Sequence, residues 1–291
     1  RESMGIWTGG ASDAWLNYDK LTKHRVLVNP EAHQKIREGE KAFYLFSVDV
    51  ARNGVQSVLT IFKVHTKNTG FYSSVVNIIV LGKTPETKHF EMQAIEIKKY
   101  IEAFDPVEVV IDGNGLGIGL IDFMSKEQHT DKGTFPAYGV VNDDDYKRSQ
   151  PKGCIPLIWL LRATPSLNSK IHGNCFYKIN SGKVFFLTKE QDIKIKLMAS
   201  KKGQKMTLEE RTARIMPHEM TTRLFEEMCN LRMKANGLDI NLEPINTNLM
   251  KDKFSSLEYG LWRIAERETT AMKKQSKKFG NKQYTFYSQG R

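Results

Sequence analysis

The sequence predicts an α/β fold with a central mixed β-sheet of five or more strands flanked by helices. Three segments rich in β-branched and aromatic residues follow one another with short links, which is typical of an antiparallel meander. A segment with helical spacing and another short apolar run come next, which indicates a helical crossover to a fourth strand. The three meander segments are AFYLFSVDV, VQSVLTIFKVH and GFYSSVVNIIVLG.

The helix and the fourth strand restrict the topology. KHFEMQAIEIKKYIEAF, residues 88–104, places apolar side chains at helical intervals, and Pro106 ends this pattern before the strand VEVVI. A right-handed crossover makes the fourth strand parallel to the first or third strand. If it lies beside the first strand, the ends of the two strands are about 5 Å apart. Asp49 and Asp112 stand at those ends.

The rest of the chain has less regular patterns. We expect a fifth strand at AYGVV, a hairpin at 173–188, and helices at 217–235 and 252–267. A short helix is expected near PEAHQKIREGE.

Three regions differ in composition. Residues 41–271 are expected to form one domain, which a chain of 291 residues is long enough to build. Residues 1–40 are interpreted as a linker, and residues 272–291 as a basic tail that is disordered in isolation. The opening RESMGIWTGG has no initiator Met, so the sequence reads as a fragment of a longer protein.

The composition favours a polyanionic partner. Forty-four Lys and Arg against 33 Asp and Glu give a formal net charge of +11, which favours binding to nucleic acid. The three cysteines are scattered without a C-x-x-C pair, so neither a disulfide framework nor a zinc ribbon is indicated, and a reducing cytoplasm fits. No apolar run reaches the length of a membrane span.

Asp49 and Asp112 are candidate metal ligands because each ends an apolar strand. A buried carboxylate needs a cation, a hydrogen-bond network or solvent. A strand-end aspartate can also accept bonds from the turn that follows it. Two such carboxylates side by side, however, cannot both ionise at low cost without a metal between them.

Asp252 is the third candidate acid. It precedes a stripe of apolar residues at helical spacing in KDKFSSLEYGLWRIAE, so it lies at the start of a helix. Asp is also a favoured N-cap, and capping is compatible with metal binding. The flanking Lys251 and Lys253 are candidates for contacts to a phosphate backbone.

The glycines of VVIDGNGLGIG do not match a phosphate-binding loop. The stretch lacks the Lys-Ser/Thr of G-x-x-x-x-G-K-[ST], and Asp112 precedes the glycines where it would repel a phosphate. We interpret the aspartate as the functional group and the glycines as room for the backbone to approach a bulky substrate.

Two other clusters are weaker candidates. Asp143, Asp144 and Asp145 follow the fifth strand, where one of them could assist a metal, although a solvated acidic loop is the simpler interpretation. The pair His218 and Glu219 lacks the second His of H-E-x-x-H, which excludes a zincin.

The three acids on this core resemble the ribonuclease-H-like nucleases, and more closely the C-terminal nuclease domain of the large terminase subunit of tailed bacteriophages. The matching segments are FSVDVARNG, VVIDGNGLGIGLIDFM and KDKFSSLEYGLWRIAE. GIWTGGASDAW resembles the segment that joins the terminase ATPase to its nuclease. The likeness extends over residues 1–268, and the combination of three blocks is more specific than any one of them.

The resemblance implies a two-metal-ion DNA endonuclease that cuts concatemeric viral DNA during packaging with little sequence specificity. Asp49, Asp112 and Asp252 would be the catalytic residues and the ligands of two Mg²⁺ or Mn²⁺ ions, which prefer carboxylate oxygen. Such ions activate a water and stabilise the leaving 3′-oxygen. Candidates for phosphate contacts are Arg52, Lys147, Arg148, Lys251 and Lys253.

The resemblance also implies partners and a location. These are double-stranded DNA, a packaging ATPase domain in the same subunit, the portal ring and the small terminase subunit, in the host cytoplasm and with no membrane association. No Walker A motif occurs in the sequence, so residues 1–40 would be the linker from an ATPase domain that lies outside it.

Three alternatives stay open. Another ribonuclease-H-like enzyme, such as a junction resolvase or a transposase-type strand transferase, would be distinguished by its products on branched and on linear DNA. A non-catalytic module for DNA binding or motor docking would retain DNA without cutting it. A nucleotide-binding ATPase built on DGNGLGIG would be stabilised by ATP and Mg²⁺.

Overall fold

The computed structural model describes residues 14–51, 56–131, 133–237 and 239–280, which fold around an eight-stranded sheet. The strands are β1 (Arg25–Leu27), β2 (Ala42–Asp49), β3 (Ser57–Lys67), β4 (Gly70–Leu81), β5 (Glu108–Asp112), β6 (Gln128–Thr130), β7 (Gly133–Phe135), β8 (Tyr138–Val140), β9 (Ile155–Leu161), β10 (Val184–Leu187), β11 (Leu231–Asn236) and β12 (Asp239–Pro244). The α-helices are α1 (Tyr18–Thr22), α2 (Phe90–Phe104), α3 (Gly117–Met124), α4 (Asp144–Ser149), α5 (Pro165–Asn180), α6 (Glu190–Ala199), α7 (Lys201–Lys205), α8 (Leu208–Cys229) and α9 (Asp252–Gly280).

The main sheet has the order β1-β10-β4-β3-β2-β5-β9-β8. β2, β3 and β4 form the predicted antiparallel meander, and β5 lies beside β2 in parallel, as the right-handed crossover allows. β10 is parallel to β4, and β1 is parallel to β10. The predicted α/β class and mixed sheet are confirmed. The carboxyl ends of β1, β10, β4, β2 and β5 therefore all lie at one end of the sheet.

Alternation along the central strands divides the core into two layers. In β2, Tyr44, Phe46 and Val48 pack with α2 and α3, as do Val109 and Ile111 of β5. The intervening residues Leu45 and Val110 belong to the opposite layer, which contains apolar residues of α5, α8 and α9. Because side chains alternate between the faces of a strand, Asp49 and Asp112 leave the sheet on the α9 side.

Several predicted elements differ from the structure in type or in bounds, and one strand was not predicted. The expected hairpin at 173–188 is the end of α5 followed by β10, which pairs with β4 and β1. The expected helix at 217–235 ends at Cys229, and the next residues form β11. PEAHQKIREGE contains no helix, and the prediction omitted β9, which lies in the main sheet beside β5.

Regular elements lie on both sides of residues 41–271, and the division into linker, domain and tail stays a prediction. Before residue 41, β1 already pairs with β10 in the main sheet. At the other end, α9 continues past residue 271 to Gly280, so the first part of the expected tail is helical. Residues 281–291 lie outside the described residues. None of the helices described is long and apolar enough to cross a membrane.

Candidate active site at the carboxyl end of the sheet

Asp49 and Asp112 are brought together by the pairing of β2 with β5. The register joins Val48 to Ile111, which places the two aspartates at the next pair of positions. Neighbouring strands lie about 4.8 Å apart. Both side chains leave the same face of the sheet, so the predicted juxtaposition of these two acids is found.

Asp252 is the first residue of α9, which packs across β2. One turn later the Ser256 hydroxyl lies 2.9 Å from the Ser47 carbonyl oxygen and 2.8 Å from the Thr60 hydroxyl. The Asp252 Oδ2 atom accepts a bond of 3.2 Å from the Gln56 N–H, immediately before β3. These contacts hold the third acid beside the ends of the two strands.

The Asp252 side chain does not accept a hydrogen bond from the first turn of α9, as an N-cap would. Its carboxylate accepts from the Gln56 N–H, whereas the first-turn N–H of Phe254 is bound by Glu227 Oε2 at 2.9 Å. Glu227 therefore supplies the capping function from α8. The Asp252 Oδ1 atom is left without a hydrogen bond from the described residues.

The three acids are coupled electrostatically. Burial raises the pKa of Asp49 well above its usual range, and the negative charges of Asp252 and Asp112 raise it further. The positive charge of Lys251 opposes this rise. No Lys, Arg or His within the described ranges forms an ion pair with any of the three carboxylates. The cluster carries negative charge without a bound protein cation.

Burial also raises the pKa values of Asp112 and Asp252. Each effect is reduced by a backbone N–H: Asn114 donates to Asp112 Oδ1 at 2.9 Å, and Gln56 donates to Asp252. The pKa of Tyr259 is raised by burial and then by the charges of Asp112, Glu258 and Asp49. Tyr259 therefore belongs to the surroundings of the cluster, although the sequence analysis did not single it out.

The glycines after Asp112 pack against the protein itself. A Cβ atom on Gly117 would lie 1.6 Å from the Asp112 carbonyl oxygen, and one on Gly113 would lie 2.1 Å from the Leu160 side chain. Gly119 packs against the Phe90 ring, and a Cβ atom there would lie 2.8 Å from the nearest ring carbon. The interpretation of these glycines as room for a substrate is replaced by one of close packing of α3 against the strand end.

The candidate phosphate-binding residues have different environments. Lys253 is buried and donates to Glu227 Oε1 at 2.9 Å, which does not fit the predicted phosphate contact. Lys147 and Arg148 are exposed on α4, where they pair with Asp144 and Asp145. Lys251 is exposed beside the cluster, and Arg52 lies outside the described residues.

Two buried acids near the cluster were missed by the sequence analysis. Glu227 anchors the start of α9 through Lys253 and Phe254. Glu258 Oε2 lies 2.6 Å from the Nδ1 atom of His172 on α5. Both acids lie within helices that carry other polar residues, and their partners are distant along the chain, so local patterns contain no signal for them.

The cluster fits a divalent cation by its chemistry. Within the described ranges, no three His, Cys, Asp or Glu side chains are already gathered as a metal-binding group. Three desolvated carboxylates without a protein counter-ion nevertheless offer the hard oxygen donors that Mg²⁺ and Mn²⁺ prefer. The repulsion that raises the pKa of Asp49 is the interaction that such a cation would relieve.

The meander, the parallel strand beside it and the late helix that carries an acid define a ribonuclease-H-like fold. The chain matches the large terminase nuclease of thermophilic phage G20c, in structures with bound magnesium and with bound cobalt. In both, the identity is 12%, the TM-score is 0.50, and the match covers 86% of this chain and 97% of that chain.

The HK97 bacteriophage large terminase matches with 9% identity and a TM-score of 0.46, over 85% of this chain and 43% of that chain. No protein-family model and no curated protein matches the sequence. The structural likeness establishes the fold of a large-terminase nuclease over most of this chain.

Proposed function

We propose that the protein is a metal-dependent DNA endonuclease of the large-terminase type that cuts concatemeric viral DNA during genome packaging. The observation that carries this proposal is the group of three coupled carboxylates, Asp49, Asp112 and Asp252, at the carboxyl end of the sheet. The fold shared with the G20c nuclease supports it.

Asp49 is the central member of the cluster because both other acids act on its pKa. It would hold Mg²⁺ or Mn²⁺ together with Asp112 and Asp252. Bound there, the cations would supply Lewis-acid stabilisation of charge developing at a phosphodiester and activation of the attacking water.

The protein fixes two of the three carboxylates before any cation binds. Asp112 Oδ1 accepts from the Asn114 N–H, and Asp252 Oδ2 accepts from the Gln56 N–H. Each bond restricts one side chain and leaves its second oxygen available to other ligands. The positive charge of Lys251, which lowers the pKa values of Asp49 and Asp252, favours the ionised forms needed for cation binding.

A DNA substrate agrees with the charge of the chain. A net charge of +11 favours a polyanion, and contacts to phosphates give affinity with little sequence preference. Binding and cleavage should therefore weaken as the salt concentration rises.

The direct test is cleavage of supercoiled plasmid with Mn²⁺, Mg²⁺, Ca²⁺ or EDTA. We expect nicking and linearisation with Mn²⁺ or Mg²⁺, and none in EDTA. Asp49→Asn, Asp112→Asn and Asp252→Asn should each lower cleavage by at least about 100-fold, since each removes a carboxylate ligand. Asp144→Asn is the matched control because Asp144 is exposed on α4 and, among the residues described, its ion pair is with Lys147.

A DNA-binding module without catalysis is the second candidate function. It is favoured by the observation that the acids, within the described ranges, are not already gathered as a metal-binding group. Such a module would retain DNA without divalent-dependent cutting. Cleavage that disappears in Asp112→Asn but persists in the control variant would reject it.

A further inference from the structure

A basic helical segment extends from the end of the sheet that carries the acid cluster. Residues 189–214, named here the basic arm, comprise α6, α7 and the first two turns of α8. The arm contains eight Lys and Arg against four Asp and Glu. Its position in the fold and the exposure of its lysines indicate a binding surface separate from the acid cluster.

The topology places the arm at the same end of the sheet as the acids. β10 is parallel to β4, and β4 runs in the same direction as β2 because both are antiparallel to β3. The carboxyl end of β10 at Leu187 leads directly into α6. β10 and β2 are three strand spacings apart, or about 14 Å.

Most of the basic side chains of the arm are exposed and form no ion pair within the part of the chain that the structure describes. Lys194, Lys196, Lys201, Lys202 and Lys205 are exposed, and none forms an ion pair with a carboxylate of the described residues. Exposed lysines without acidic partners give a positive potential that attracts an anion.

Two of the four acids in the arm are used within the fold. Glu190 accepts a hydrogen bond from the Thr222 hydroxyl and lies 4.0 Å from the Arg25 guanidinium. Glu210 accepts from the Thr207 N–H in a capping box at the start of α8. Since these carboxylates bind α8 and Arg25, they do not neutralise the exposed lysines.

A groove of about 1160 Å³ runs beside the arm and reaches Gln56. Its lining includes Gln56, whose backbone N–H binds Asp252, and it includes Lys196 and Arg214 of the arm. Lys83, which follows β4, and Arg223 of α8 also line it. The groove thus extends from the arm to the residue whose N–H binds the third acid, and its lining combines these basic residues with Glu96 and Glu219.

We propose that the basic arm binds the phosphate backbone of the DNA duplex whose scissile bond lies at the acid cluster. The inference rests on the proposed function for the position of the scissile bond. The strands that lead to the arm and to Asp49, β10 and β2, are about 14 Å apart, which is the length of roughly four base pairs at 3.4 Å each. The arm thus contacts DNA to one side of the cut and contributes affinity without reading the sequence.

The test compares two triple variants with the same change of charge. The arm variant is Lys196→Gln, Lys201→Gln and Lys202→Gln. The control variant is Lys41→Gln, Lys67→Gln and Lys152→Gln. These three exposed lysines lie at the end of the sheet opposite to the acid cluster. Binding of a 30-base-pair duplex is measured by fluorescence anisotropy in EDTA at several KCl concentrations, after circular dichroism has established equal folding.

Each lost phosphate contact reduces the slope of log K against log salt by about 0.9. For the arm variant we expect a slope smaller by about 2 to 3 and an affinity at low salt at least tenfold lower, with the control close to the parent. Equal slopes for the two variants would overturn the proposal and would leave the arm as a surface for an acidic protein.

Cleavage by the parent with Mn²⁺, measured in parallel, separates this proposal from the proposed function. If the parent cuts DNA and the arm variant keeps the parental slope of log K against log salt, the proposal for the basic arm is wrong and the nuclease proposal stands. If the arm variant loses affinity but the parent does not cut DNA, the proposed nuclease function is wrong and the arm still binds DNA.

Discussion

Replacing Asp49 by Asn should stabilise the protein in the absence of metal. The folded state buries Asp49 and holds it near two other carboxylates, which raises its pKa, whereas the unfolded chain releases that proton near pH 3.9. Between these two pKa values the folded state binds more protons than the unfolded state. The free energy of unfolding therefore falls as the pH rises through this window, and the loss persists above it.

The expected magnitude follows from the spacing of the strands. Two unit charges about 5 Å apart at an effective dielectric constant of 20 repel by roughly 3 kcal/mol. Screening at the partly exposed site reduces this value, so we expect Asp49→Asn to add about 1 to 3 kcal/mol at pH 8. For a chain of this size the melting temperature should rise by about 2 to 8 °C.

The assay is thermal unfolding followed by circular dichroism in EDTA at low salt, at pH 8 and pH 5, with one scan rate for all proteins. The increase in melting temperature should be larger at pH 8 than at pH 5, because protonation at pH 5 relieves the same repulsion in the parent. Asp144→Asn, on the exposed face of α4, should change the melting temperature little. A lower melting temperature for Asp49→Asn at pH 8 would refute the reasoning, because the carboxylate would then be a structural acceptor.

Three further substitutions test how the site is held. Ser256→Ala removes the hydroxyl that donates to the Ser47 carbonyl, so the free energy of unfolding in urea should fall by about 1 to 3 kcal/mol. Plasmid cleavage should also be slower, because α9 is displaced. Glu227→Gln leaves the buried Lys253 ammonium without its counter-charge and should cost about 3 to 5 kcal/mol, most of which the added Lys253→Met should restore in a double-mutant cycle. Gly117→Ala places a carbon 1.6 Å from a backbone carbonyl oxygen, so we expect a clear loss of melting temperature and of plasmid nicking.

The sheet centre was predictable because its signals are local. Short links between β-rich segments indicate a meander, and the right-handed crossover rule leaves few places for β5. Once β5 lies beside β2, Asp49 and Asp112 must meet, since each ends its strand. Asp252 followed from the apolar stripe of α9, whose predicted start agrees with the structure.

The failures have a common physical origin in long-range packing. Segment 173–188 has apolar and aromatic runs on either side of Ser181 and Gly182, but Ile171, Cys175 and Ile179 are buried as one face of α5. β10 is a strand because it pairs with β4 and β1, which are distant in the sequence. Lys253 looked like a surface cation because its partner Glu227 lies on another helix.

α9 explains how a site with net repulsion is compatible with a stable fold. Arg263 donates to Glu108 Oε2 at 2.6 Å, and its guanidinium lies 3.2 Å from the Trp159 ring centroid. Further along α9, Glu268 forms ion pairs with Lys178 and Lys183. The helix is thus attached to β5, β9 and α5 along its length, beyond its contacts with β2.

These attachments hold Asp252 close to like charges, and the positive charges of Lys253 and Lys251 offset the rise of its pKa only in part. A loop in the same place could move away and relieve the repulsion, whereas a helix fixed at several turns cannot do so without breaking buried ion pairs. The acid cluster therefore keeps an excess of negative charge, which a divalent cation would neutralise.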